Sequence, residues 1–241
     1  MKKNLILLMA LMVTMPLFAQ SDGEDIIPVS SKKHALFIGP KIGATFTTMT
    51  QPDECDLYDG MGMGFSAGAV LKARFGKISD SSNAGTGYFG VGAELMFKTH
   101  NVKTIGTDED GKENADLSIS YFEVPVYAQV FPFAKTRALN SFYVELGATF
   151  AGTVSRSPKS LTVLNPNSEL SSITYNIDKD GSKLKGYNIS PIIGAGYTVP
   201  GTGLDINIRY NIGINELAGN LASKLSTLEV SVAWMFNLSK F

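Results

Sequence analysis

The 241-residue chain has one cysteine, Cys55, two histidines, His34 and His100, and one tryptophan, Trp234. A single thiol excludes an intrachain disulfide, so no cross-linked scaffold holds the fold. Two distant histidines and one cysteine give no cluster with metal-ligand spacing, so the reading is no metal site and no cofactor. Charge is scarce too. Charged residues make up 18% of the chain and the formal net charge is −1. The basic patch with which a nucleic-acid-binding protein meets phosphates is missing, so no nucleic acid is expected as a partner. Beyond residue 20 no run approaches the roughly 20 apolar residues a membrane-spanning helix needs.

Strict alternation takes their place. Leu204, Ile206, Ile208, Tyr210, Ile212 and Ile214 share one face of a strand, and Asp205, Asn207, Arg209, Asn211, Gly213 and Asn215 share the other. From Leu228 to Leu238 every second residue is again apolar, through Val230, Val232, Trp234 and Phe236. Period two is the signature of a β-strand with two unlike faces. Eight stretches carry it, at about 36–47, 61–75, 87–99, 117–131, 141–153, 184–199, 204–215 and 225–241. The links after the first, third, fifth and seventh are mostly long and polar, at 48–60, 100–116, 154–183 and 214–224. The sixth, Pro200-Gly201-Thr202-Gly203, is a tight turn, because proline fixes φ and glycine permits positive φ. Within 154–183, the patches Leu161–Leu164 and Ile173–Ile177 suit a hairpin beyond the barrel.

Residues 1–20 have a basic start, an apolar centre and a small residue near the end, the pattern of a secretory signal peptide cleaved after Ala19 or Gln20. Residues 21–35 read as a polar periplasmic lead-in, and 36–241 as the barrel with its exterior loops. Alternation alone leaves two arrangements open. A soluble barrel puts apolar faces inside, whereas an outer-membrane barrel turns them to lipid. The polar faces are rich in glycine and carry charges of both signs, and the apolar faces are free of charge over about 9–11 residues, the length of a tilted membrane strand. The expected fold is therefore all-β, an eight-stranded antiparallel up-and-down transmembrane β-barrel integral to the outer membrane.

Lys41, Lys72, Arg74, Glu94, Glu123, Glu145, Asp205, Arg209 and Glu229 are the candidate lumen charge network, with Lys98 on the same inward face of its strand. An eight-stranded interior is just wide enough for side chains to fill, so these charges are expected to pair as a plug. Phe142, Tyr197, Tyr210, Trp234 and Phe236 are candidate membrane-interface aromatics. His100, placed just past the third strand, lies near Ser118 and Ser120. A serine–histidine hydrolase would need them within hydrogen-bond reach, but their parity puts them on opposite faces. The Asp108–Gly111 and Asp178–Gly181 runs lack the remaining ligands of a calcium loop and read as turns. The chain therefore reads as a non-enzyme.

The segment Tyr121-Phe122-Glu123-Val124-Pro125-Val126-Tyr127 resembles the Y-x-E-[IV]-P strand of the PorT-like outer-membrane β-barrel family of Bacteroidetes. Leu204–Tyr210 is similar to that family's late D-x-R-Y strand, and Gly39-Pro40-Lys41-Ile42-Gly43 to its glycine-rich first strand. The resemblance covers roughly 35–241. It implies an outer-membrane barrel assembled by the barrel-insertion machinery. The chain has the terminal aromatic common in such barrels, Phe241, but out of register with Trp234, Phe236 and Leu238, so that either the strand ends at about Leu238 or a bulge intervenes. The expected partners are outer-membrane lipids, that machinery, and an envelope or surface component met through the exterior loops. The expected role is structural or interactive, with small-solute transport as the alternative and a membrane-embedded lipid hydrolase behind it.

Overall fold

The computed structural model describes residues 34–50, 58–75, 87–104, 116–134, 139–157, 160–164, 172–176, 186–218 and 221–238. Residues 1–33, which hold the expected signal peptide and most of the expected lead-in, and Phe241 lie outside the described residues, whereas His34 and Ala35, the end of that lead-in, already belong to the first strand.

The strands are β1 (His34–Met49), β2 (Tyr58–Phe75), β3 (Phe89–Thr104), β4 (Asp116–Val130), β5 (Phe142–Ser157), β6 (Ser160–Leu164), β7 (Ser172–Asn176), β8 (Tyr187–Thr198), β9 (Leu204–Asn211), β10 (Glu216–Ala218), β11 (Leu221–Trp234) and β12 (Phe236–Asn237). Eight of them form one antiparallel ring in the order β1, β2, β3, β4, β5, β8, β9, β11, and β11 pairs back onto β1. The molecule is a closed, eight-stranded, up-and-down β-barrel. β12 carries the last strand on in unbroken register, with Phe37 opposite Asn237 as Lys41 is opposite Ala233. β6 and β7 pair as a separate two-stranded hairpin within the longest link. β10 folds back on the start of β11.

Burial alternates with sequence and decides between the two arrangements. Ile42, Met63 and Leu146 are 66–68% exposed, whereas Lys98, Arg209 and Glu229 are 0% exposed. The charges fill the lumen and the apolar side chains clothe the outside, the inverse of a water-soluble barrel.

Small residues make room for large ones across the narrow interior. Gly92 faces Tyr127 across the β3–β4 pair, and Gly196 faces Tyr143 across β5–β8. A Cβ at either glycine would run into the opposing phenol ring. Prolines are absorbed at the cost of single ladder bonds. The β3–β4 ladder lapses around Pro125, between Ala93–Val126 and Met96–Glu123, and the β1 ladder lapses at Pro40, opposite Trp234. Neither residue has an N–H to give, and the register is the same on both sides of each gap. At the β8–β9 turn Gly201 and Gly203 take φ of 81° and 76°, a region closed to most other residues.

Several boundaries differ from the sequence reading: β2 starts at Tyr58, β5 runs on to Ser157 and β11 starts at Leu221. β3 runs on to Thr104, so His100 belongs to a strand and its side chain lies inside the barrel at 5% exposure, not in an exterior loop. β9 ends at Asn211 rather than Asn215, and Ile212 and Ile214 keep the outward exposure without the ladder.

Candidate functional site

The lumen is built as a column of three groups. At the end that carries the short turns, Lys72 on β2 donates to Asp205 on β9 at 2.7 Å and to the Tyr143 hydroxyl at 3.0 Å. Tyr143 and Thr198 each donate to the same carboxylate, at 2.9 and 2.6 Å. Arg74 stands apart. Among the described residues it has no carboxylate partner, donating instead to the carbonyls of Gly87 and Asn140 at 2.9 and 2.8 Å, with its guanidinium 3.6 Å from the Phe131 ring centroid.

The middle group comes from every second strand of the ring, with Lys41 on β1, Glu94 on β3, Glu145 on β5 and Arg209 on β9. Arg209 grips Glu94 through both terminal nitrogens, at 3.0 and 2.9 Å, and Glu145 through Nε at 2.7 Å. Lys41 lies 3.0 Å from both Glu94 oxygens, and Tyr127 donates to Glu94 at 2.8 Å. Asn207 donates to Glu145 at 3.2 Å and to the Tyr143 hydroxyl at 3.3 Å, joining this group to the turn-end group. Bidentate, charge-assisted pairing on this scale is what lets buried ions remain charged.

Toward the long links, Lys98 lies between Glu229 at 2.7 Å and Glu123 at 3.0 Å. Ser66 donates to Glu229 at 3.0 Å. His100 bonds Glu123 through Nε2 at 2.9 Å, and its Nδ1 lies 2.9 Å from the Thr227 hydroxyl and 3.2 Å from that of Thr47. The described hydrogen bonds of His100 thus go to threonines and a glutamate rather than to Ser118 or Ser120.

All nine candidate lumen charges are buried, and the column brings eight of them into ion pairs. With Lys98, the described lumen holds five cations and five carboxylates. Lys98 and His100 stood outside the candidate charge set. The signal for Lys98 was its even spacing from Glu94 on one strand. For His100 it was a parity that continues the same face.

The remaining space is small. A cavity of about 30 Å³ lies beside Arg74, Lys72 and Phe131, and another of about 10 Å³ lies beside His100, Glu123 and Thr227. These suit one or two waters each. Neither admits an acyl chain or a sugar ring. Outside, Trp234 and Phe236 are about half exposed at the turn end, where Tyr197 and Phe142 are half-buried and Phe142 packs on Phe133. Tyr210 is exposed one residue before the end of β9, at the opposite rim.

A family model described as an outer membrane protein beta-barrel domain matches residues 18–219. The chain belongs to the outer membrane protein β-barrel domain family. As a member of that family it is an integral outer-membrane protein, and its exposed apolar band faces lipid. No curated protein sequence matches it. Similar solved structures include Ail, the attachment invasion locus protein of Yersinia pestis, in complex with the heparin analogue sucrose octasulfate, at 14% identity over 83% of this chain and 99% of that one, with a TM-score of 0.40. Neisserial surface protein A is 12% identical over 85% of this chain and 100% of that one, with a TM-score of 0.41. OprG from Pseudomonas aeruginosa is 14% identical over 85% and 97%, with a TM-score of 0.39.

Proposed function

We propose that this outer-membrane β-barrel domain protein is a sealed, rigid platform that offers its exterior loops to a partner in the cell envelope or at the cell surface. The observation that carries the reading is Arg209. It has no exposure and ties Glu94 to Glu145 across the middle of the barrel. Breaking that layer to pass a solute would leave charges unpaired at low dielectric. The long links gather at one rim, where the β6–β7 hairpin adds ordered strand beyond the barrel. Outer-membrane barrels carry their long loops outside the cell.

The same reading makes the chain a non-enzyme. The Thr227–His100–Glu123 chain of hydrogen bonds has the order of a nucleophile, base and orienting group, but it borders a cavity of about 10 Å³. It also includes residues 1–20 as a cleaved signal peptide, 21–35 as a lead-in, assembly by the barrel-insertion machinery, and kinship with PorT-like barrels through the Tyr121–Tyr127 strand. The first experiment is single-channel recording of the purified barrel in planar bilayers. The sealed platform gives no steps above background. Steady unitary steps would overturn it and favour the small-solute transporter.

A further inference from the structure

We propose that the loop-end cavity is a binding site for one monovalent alkali cation. Four oxygens of residues lining this cavity have no hydrogen-bond partner although each is buried: Thr149 Oγ1, Asn188 Oδ1, Asn211 Oδ1 and Glu123 Oε2. Lys98 Nζ approaches Glu123 Oε2 to 3.0 Å, but off the line of a hydrogen bond. Thr149 and Asn211 are themselves 2% and 4% exposed, so bulk water does not reach them to make up the loss.

The chemistry of the lining selects the occupant. Buried oxygens without partners require something that can be shared among them. One water has only two protons to give, whereas a cation serves every oxygen that reaches it. Hard cations take carboxylate, amide and hydroxyl oxygens as ligands. The size is that of a single water, about 10 Å³. The charge balance points the same way. In this group the single ammonium of Lys98 is shared by two carboxylates, Glu123 and Glu229. A single positive charge completes the group, while a divalent ion would overcharge it beside Lys98. Among the described residues no three His, Cys, Asp or Glu side chains gather as a metal centre, so the lining also lacks the donors of a transition-metal site.

The site is tested on the purified full-length barrel with rubidium as the probe. Crystals grown in rubidium chloride should show an anomalous peak within the cavity. The unfolding midpoint should rise saturably in sodium, potassium or rubidium chloride relative to N-methylglucamine chloride at equal ionic strength, since the bulky cation does not fit. Asn211→Leu and Thr149→Val should remain folded, as judged by heat-modifiable gel mobility, and should lose both the peak and the cation-dependent shift. If the wild-type cavity shows no anomalous peak and holds water only, the proposal is overturned. A midpoint that follows ionic strength alone overturns it as well.

Discussion

Arg209 and Glu94 join through two hydrogen bonds of 3.0 and 2.9 Å from strands that stand diametrically opposite in the eight-stranded ring. A ladder holds neighbouring strands together, whereas this pair braces the barrel across its full width. Arg209→Leu leaves Glu94 with Lys41 as its one charged partner beside the Tyr127 hydroxyl, and Glu145 without its charged partner. The expected loss is about 3–5 kcal/mol, the usual result of stranding one side of a buried pair. Urea titration of the protein folded into lipid vesicles measures it. Replacing Lys41, Glu94, Glu145 and Arg209 together with leucine or methionine should recover most of that loss, because no unpaired ion is then left behind. An Arg209→Leu barrel as stable as wild type would refute the brace.

Gly92 and Tyr127 give a second, steric test. A side chain at Gly92 meets the Tyr127 ring directly. Gly92→Leu should therefore cost roughly 1–3 kcal/mol as an overpacked interior. Tyr127→Ala in the same chain should relieve the clash, while adding its own loss of the hydrogen bond to Glu94. Non-additivity in a double-mutant cycle by vesicle unfolding is the readout, and strictly additive effects would exclude the contact.

The lipid face is probed on a single strand. Leu146 is 67% exposed within the apolar band, and Val154 lies eight residues nearer the loop rim on β5. Leu146→Arg should destabilise the barrel by about 2–4 kcal/mol, whereas Val154→Arg should cost about 0–1, following the depth dependence of charge in a bilayer. Equal costs at both positions would place Leu146 outside the membrane.

Processing of the N-terminus is read by mass. Intact mass and N-terminal sequencing of protein taken from outer membranes should give a chain that begins at Gln20 or Ser21. A chain that still carries Met1 would remove the signal-peptide assignment.

Much of this architecture is written in residues that alternate. Leu204–Asn211 carries its two faces openly, because a period of two sends each side chain to one side of the sheet. The same rule set the inward parity of Lys41, Glu94 and Arg209. It weakened where small polar residues end a strand. His100, Asn101 and Lys103 look like the start of a loop, yet β3 carries them to Thr104 because Asp116–Tyr121 of β4 pair alongside. The choice of ionic partner was not legible either. Glu94 and Arg209 are 115 residues apart in sequence and meet only because closure brings opposite walls together. Arg74 has the same parity and charge as its neighbours, but it settles on backbone carbonyls and an aromatic ring supplied by the turns.

The pairing of β11 with β1 joins the two ends of the chain, and Thr47 touches Thr227 across 180 residues of sequence. Until β11 has been delivered, β1 and β9 both present raw edges. A chain stalled or clipped before residue 221 therefore cannot seal itself, however well its first seven barrel strands are made. Assembly has an all-or-nothing character set by the final strand, and truncated products are expected to go to periplasmic proteolysis rather than accumulate as smaller barrels.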